Sequence, residues 1–161
     1  MITKINLLFI TFLNVGKIKF APGTFSSLIA CLIFFIFINF INFQIFFILT
    51  LIIFFYSLYA INNTYKHFES DDPSEIVIDE VVGQLIPLLS IPIFETLYPT
   101  STAIYCVFSF FIFRLFDIWK PFPINYIDKN VKGSIGIMLD DVLAGIFTTI
   151  LLSVTFFFLG G

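Results

Sequence analysis

The chain has 161 residues, of which 59% are hydrophobic and only 12% are charged, and its formal net charge at pH 7 is −3. A soluble domain carries roughly 25% charged residues, so this composition predicts an integral membrane protein rather than a soluble one. The small net charge and the lack of a basic run in the sequence argue against a nucleic-acid partner.

Apolar stretches predict an all-α fold, a polytopic membrane helix bundle that forms one domain over residues 1–161. A spanning helix needs about 20 apolar residues. The N-terminal stretch Ile5–Leu13 is shorter and predicts an interfacial helix. About five membrane segments follow in chain order: Thr24–Phe40, Phe43–Ile61, Val81–Ile93, Thr100–Ile118 and Val142–Leu159.

The charges predict the orientation of this bundle. If all five stretches cross, every Lys and Arg lies on one side, which the positive-inside rule makes cytoplasmic. If Val81–Ile93 did not cross, the lysines that follow Arg114 would move to the opposite side. Of the eleven acidic residues only Glu95 lies away from the cytoplasmic side. Acidic residues contribute little to orientation, so this gathering of carboxylates indicates a site on that face.

The first polar segment on this face precedes the first membrane helix. It contains Lys17 and Lys19 and the turn Ala21-Pro22-Gly23-Thr24, in which Thr24 can cap the helix that follows. Free N–H groups at a helix start favour anion binding, and nearby lysines add to the effect. Taken alone, a capped helix with interfacial lysines explains the same residues.

The second segment carries two carboxylates where an apolar run begins. Asp72 and Pro73 are typical of a helix start, and Asp79 and Glu80 follow within apolar sequence. Carboxylates at a membrane entrance are costly unless they are paired or bind a metal. A solvated acidic cap would explain Asp72 but would not explain Asp79 and Glu80.

The third segment joins two membrane helices. Arg114, Asp117 and Lys120 follow at intervals of three residues and therefore share one side of a helix end, which prolines terminate. Asp140 and Asp141 are expected to begin the last membrane helix. Taken alone, Arg114 and Lys120 could be cations whose side chains extend to the membrane surface, and Asp140 and Asp141 could be the usual acidic residues of a helix start.

Together the three segments combine carboxylates with Lys and Arg, which suits Mg²⁺ and phosphate. His67 is the only histidine, so the sequence argues against a His-based zinc site. Cys31 and Cys106 lie in apolar runs and are expected to be buried hydrophobic residues.

These motifs resemble the phosphatidylglycerophosphatase A family. The resemblance extends from about Asn14 to Gly145. The family commonly has Gly at three positions where this chain has Asn14, Ser26 and Ser134. The resemblance is carried by Ala21-Pro22-Gly23-Thr24, Ile78-Asp79-Glu80 with Gly83, Arg114 through Pro123, Gly136-Ile137-Met138, Asp140-Asp141 and Ala144-Gly145. It implies a multi-pass enzyme of the bacterial inner (cytoplasmic) membrane, with its active site facing the cytoplasm. Such an enzyme hydrolyses phosphatidylglycerophosphate to phosphatidylglycerol with Mg²⁺ as cofactor.

The resemblance also implies roles for single residues. The expected partners are the phospholipid substrate and the lipid bilayer, and the oligomeric state stays open. Either direct attack by water or an aspartyl-phosphate intermediate is compatible with these residues. The expected Mg²⁺ ligands are Asp79, Glu80, Asp140 and Asp141; the catalytic residues are Asp79, Asp117 and Asp141; and the substrate-binding residues are Lys19, Thr24, Arg114, Lys120 and Lys132.

Other classes of protein fit less well. A cysteine phosphatase needs an Arg six residues after its Cys, an aspartate-nucleophile phosphatase needs Asp-x-Asp, and the sequence has neither. A lipid phosphotransferase of the Asp-Gly type lacks its Asp-Gly start. A small transporter or ion-binding protein would carry charges near the bilayer middle rather than at helix ends.

Overall fold

A computed structural model of the protein describes residues 2–68, 73–91 and 102–159. These ranges are helical, which confirms the all-α class for the described residues. Two short 3₁₀ turns, Val15–Lys17 and Tyr65–His67, join some of the elements. The described α-helices are α1 (Ile2–Ile10), α2 (Pro22–Phe37), α3 (Phe43–Thr64), α4 (Ile78–Leu88), α5 (Thr102–Trp119), α6 (Ile124–Asn130) and α7 (Gly133–Leu159).

Three of the described helices are long and apolar enough to cross a membrane, namely α3, α5 and α7. The helix α2 is apolar but has 16 residues, and α4 has 11. The last two residues of the predicted segment Val81–Ile93 lie outside the described ranges. The structure therefore supports a polytopic membrane protein, and the number of about five membrane segments stays a prediction.

The helix α4 lies at the centre of the bundle and packs against α2, α3, α5 and α7. Nine of its eleven residues are buried, so other parts of the protein cover almost every side of it. Two polar pairs join this part of the chain to α5: Gln84 Nε2 donates to Ser109 Oγ at 2.8 Å, and just after α4 the hydroxyls of Ser90 and Tyr105 are 2.6 Å apart. These pairs show that α4 and α5 run antiparallel.

Two glycines allow α4 and α7 to cross closely. A Cβ atom on Gly83 would lie 2.7 Å from the backbone oxygen of Asp141, and one on Gly145 would overlap the backbone oxygen of Gly83. Asp79 precedes Gly83 by one helical turn, and Asp141 precedes Gly145 by one turn. Because the crossing is so close, it brings Asp79 and Asp141 to the same end of the bundle.

The helix α1 begins and ends three residues earlier than the predicted interfacial helix. It ends at Ile10 because Phe12, Leu13 and Asn14 have positive φ angles. Asn14 has φ 71°, a conformation that Gly adopts freely and Asn tolerates better than most residues. The Ile10 carbonyl then accepts a hydrogen bond from the Val77 N–H at 3.0 Å, so the N-terminus is held against the start of α4.

Three predicted helix starts are wrong. The helix α7 begins at Gly133 rather than at Asp140, so Asp140 and Asp141 lie about two turns inside it. The helix α4 begins at Ile78, after a turn, and not near Pro73. Thr24 does not cap α2, because that helix starts at Pro22, whose fixed φ suits the first helical position.

Candidate active site

The three polar segments of the sequence meet in one cavity of about 320 Å³. It lies where α2 and α4 begin and α5 ends, beside the early turns of α7. Its volume falls within the range of small-ligand sites, roughly 300–1,000 Å³. The charged residues that line it are Asp79, Glu80, Arg114, Asp117, Lys120, Asp128, Lys132, Asp140 and Asp141.

Three of these carboxylates form a cluster at the crossing of α4 and α7. Oxygen atoms of Asp79, Glu80 and Asp141 lie within 4.8 Å of one another. One oxygen on each side chain (Oδ1 of Asp79, Oε2 of Glu80 and Oδ1 of Asp141) is buried without a hydrogen-bond partner. A buried acceptor without a partner is costly, and a hard divalent cation coordinated by oxygen would satisfy all three. The donor set therefore fits Mg²⁺.

Burial changes the protonation of the two carboxyls that begin α4. Loss of hydration, followed by the charge of Glu80, raises the pKa of Asp79 well above its usual range. Loss of hydration also raises the pKa of Glu80 to about 7, although a hydrogen bond with Asp79 and the charge of Arg114 act in the opposite direction. Neighbouring acids of this kind hold a proton unless a cation replaces it.

Gly23 admits the Glu80 side chain to the cavity. A Cβ atom at this position would overlap the Glu80 carboxylate and lie 3.3 Å from Nη1 of Arg114. Arg114 Nη1 is 4.0 Å from Oε1 of Glu80 and forms a close ion pair with Asp117 on the same helix. The i, i+3 spacing predicted that Arg114 and Asp117 share one side of the helix, and their ion pair holds the guanidinium beside the carboxylate cluster.

Lys120, the residue that follows α5, lies between two carboxylates of the cavity. Its Nζ atom is 2.6 Å from Oδ1 of Asp128 and 2.7 Å from Oδ2 of Asp140. Burial opposes the charge on Lys120, but these two hydrogen bonds outweigh it and raise the pKa of the ammonium group. Asp140 thus binds Lys120 through one oxygen, while its Oδ1 is buried without a hydrogen-bond partner. Asp128, on α6, is a site residue that the sequence analysis did not select.

The remaining predicted residues lie farther out. Lys132 is exposed and lines the cavity. Lys19 is exposed and Thr24 is half-buried, and neither is among the described residues that line the cavity. The structure therefore brings together every predicted site residue except these two.

Comparisons with known proteins agree with these motifs. The family model for phosphatidylglycerophosphatase A matches residues 8–156. A Haemophilus influenzae protein named phosphatidylglycerophosphatase A is 36% identical over 135 residues, which cover 84% of this chain and 78% of that protein. The Escherichia coli K12 protein of the same name is 33% identical over 131 residues, which cover 81% of this chain and 72% of that protein.

A third relative carries a different name. A Bacteroides thetaiotaomicron protein, provisionally named a phosphatidylinositol-3-phosphatase, is 35% identical over 149 residues, which cover 90% of this chain and 89% of that protein. No solved structure gives a significant match.

Proposed function

The chain belongs to the phosphatidylglycerophosphatase A family, and from that membership we propose that it hydrolyses the phosphomonoester of phosphatidylglycerophosphate in phospholipid biosynthesis. The products are phosphatidylglycerol and inorganic phosphate. One observation carries the proposal: three clustered carboxylates adjoin Arg114 and Lys120 in a cavity at one end of apolar helices. A lipid head group can reach such a position without leaving the bilayer.

Asp79, Glu80 and Asp141 are proposed to hold Mg²⁺, because each has a buried oxygen that lacks a hydrogen-bond partner. Asp140 is the proposed fourth ligand through its Oδ1 atom. Held by these residues, Mg²⁺ would offset phosphoryl charge and make an attacking water more acidic.

Arg114 and Lys120 are proposed to bind the phosphate together. A guanidinium can donate two parallel hydrogen bonds to a phosphate, and both cations offset the charge that develops during its transfer. Asp117 orients Arg114 through their ion pair. Lys132, exposed at the edge of the cavity, is proposed to attract the anionic head group.

Asp79 and Asp141 are proposed to take part in the chemical step. In one route, a carboxylate accepts a proton from water as the water oxygen attacks phosphorus and the bond to the glycerol oxygen breaks, and the carboxyl group then returns that proton to the glycerol oxygen. In the alternative route, a carboxylate attacks phosphorus as the bond to the glycerol oxygen breaks and that oxygen takes up a proton from the second carboxyl group. Water then attacks phosphorus, which frees the carboxylate and releases the phosphate. Direct attack inverts the configuration at phosphorus, whereas two successive displacements retain it, so a substrate with a chiral, isotopically labelled phosphate separates the two routes.

The site is proposed to face the cytoplasm of a bacterial cell, from its inner membrane. The cavity contains Arg114, Lys120 and Lys132, and positively charged residues favour the cytoplasmic side of a membrane protein. The gathering of these charges at one end of the bundle argues against the transporter alternative, in which ionisable groups lie at mid-membrane.

The experiment that tests this function measures phosphate release by purified protein in detergent. Phosphatidylglycerophosphate is supplied with Mg²⁺, with and without EDTA, and phosphatidylinositol 3-phosphate is the comparison substrate. We expect release from phosphatidylglycerophosphate that EDTA abolishes and excess Mg²⁺ restores. No release from folded protein would contradict the proposal, and faster release from the inositol lipid would change the assigned substrate.

A further inference from the structure

A second cavity, of about 200 Å³, opens between α2, α3 and α4. Its floor is formed by side chains that are almost fully buried, among them Ala30, Phe34 and Val81, and its edges by exposed ones, including Ile33 and Leu49. Among the described residues that line it, Thr50 is the only polar one, and its hydroxyl donates to the backbone oxygen of Phe46 at 3.0 Å. We call this cavity the apolar groove.

The apolar groove begins beside the candidate active site. On α4, Glu80 lines the polar cavity and the next residue, Val81, lines the groove. On α2, Gly23 lines the polar cavity, and Ala30 enters the groove about 10 Å farther along the helix. From Ala30 the groove continues along α2 to Ile38, which is about 12 Å. It therefore extends from the level of the carboxylates toward the opposite end of the bundle.

We propose that the apolar groove holds one acyl chain of the phospholipid substrate while the phosphate lies in the polar cavity. This inference rests on the proposed function and adds the part of the substrate that the polar cavity does not contact. The position of the groove indicates an acyl chain as its occupant. The groove opens between apolar helices, and one of them, α3, is a candidate membrane span, so hydrocarbon chains surround the groove. Glu80 and Val81 lie about 1.5 Å apart along the axis of α4, so the two cavities meet at one level of that helix and a chain in the groove can have its phosphate at the carboxylates.

Binding of the acyl chain in the groove is expected to align the head group rather than to add hydrophobic binding energy. Lipid tails are as apolar as the groove, so a chain gains little by leaving the bilayer for it. A bound chain instead restricts where the head group lies relative to Arg114 and the carboxylates. Such positioning can account for a large part of an enzyme's rate enhancement. Filling the groove should therefore affect only substrates whose chains are long enough to enter it.

Two leucines of α3 provide a matched pair for the test. Leu49 lines the groove and is 41% exposed, whereas Leu51 is 40% exposed and does not line it. We compare Leu49→Trp with Leu51→Trp on dipalmitoyl and dibutanoyl phosphatidylglycerophosphate in mixed micelles. Leu49→Trp should lower kcat/KM for the dipalmitoyl substrate about tenfold and change that for the dibutanoyl substrate by less than about twofold. Leu51→Trp should leave both values within about twofold of wild type.

A second pair protects the test against misfolding of one variant. Ile33 and Ile36 are both exposed on α2, and only Ile33 lines the groove. Ile33→Trp should repeat the chain-dependent loss, and Ile36→Trp should not. Independently, dipalmitoyl substrate with a photoreactive group in the acyl chain should label α2 and α3 at the groove.

The outcomes separate the two proposals. If wild-type protein releases no phosphate from either substrate, the proposed function fails, and this inference fails with it. If wild-type protein is active but Leu49→Trp behaves like Leu51→Trp, the groove holds bulk lipid only and the inference alone is wrong. An equal loss on both substrates with Leu49→Trp and Ile33→Trp would also overturn it, because filling the groove would then act on the polar site rather than on the chain.

Discussion

Gly83 is the position where one added carbon tests how the site is assembled. In Gly83→Ala the new methyl carbon would lie 2.7 Å from the backbone oxygen of Asp141 and 2.7 Å from the ring of Phe113, whereas ordinary contact begins at 3.4 Å. Phe113 is completely buried and cannot turn aside. The helix α4 must therefore move away from α7 by about 0.7 Å, since close-packed interiors offer no free space. That movement separates Asp79 from Asp141.

The expected result is a large loss of activity with a small loss of stability. Overpacking costs about 1–3 kcal/mol, and Ala is about 1 kcal/mol more favourable than Gly inside a helix, so the net loss should not exceed about 2 kcal/mol. A misplacement of about 1 Å can lower a rate about 100-fold. A shift of about 0.7 Å should therefore lower kcat for Gly83→Ala by about tenfold or more.

The assay is phosphate release from phosphatidylglycerophosphate at saturating Mg²⁺, with Tm measured in the same detergent. Val154→Ile is the control, because it adds one carbon to the exposed face of α7. Wild-type activity in Gly83→Ala would refute the reasoning. A fall in Tm of more than about 8 °C would refute it as well, since the added carbon would then unfold the bundle rather than displace two carboxylates.

Further predictions concern single residues of the cavity. Mg²⁺ should raise the Tm of wild-type protein but not of Asp141→Asn, because that variant lacks a proposed ligand charge; an equal rise in both would contradict the assignment. Lys120→Met should lower kcat/KM about 100-fold and Asp128→Asn only about tenfold, because Asp140 still holds Lys120 in the second variant; the reverse order would be unexpected. Lys19→Ala should change kcat/KM by less than about twofold, because Lys19 lies outside the cavity lining; a larger loss would favour the substrate-binding role predicted from sequence.

Relationships within one helix could be predicted from spacing alone. The three-residue intervals from Arg114 to Lys120 predicted a shared helix side, and Arg114 and Asp117 form an ion pair there. Asp79 and Glu80 stood out because carboxylates among apolar residues need partners. Both inferences concern one short stretch of the chain, whose spacing and composition the sequence displays directly.

Relationships between helices were harder to predict. Gly83 and Gly145 are visible in the sequence, but only the packed helices show that they face each other. Asp128 was missed because prolines and a short helix separate it from Lys120, so no helical period connects the two residues. The start of α7 was placed too late because the polar residues near Gly133 are typical of a loop, whereas packing extends the helix through them.

The central claim is that the carboxylates at the crossing of α4 and α7 carry out hydrolysis of the lipid phosphate. The most direct measurement is the rate of phosphate release from phosphatidylglycerophosphate by Asp79→Asn at saturating Mg²⁺, relative to wild type. The substitution keeps the shape of the side chain and removes its charge, so folded protein with a rate at least about 1,000-fold lower is predicted. A rate within about threefold of wild type would contradict the claim, because electrostatic groups at a reacting phosphate are worth far more than that.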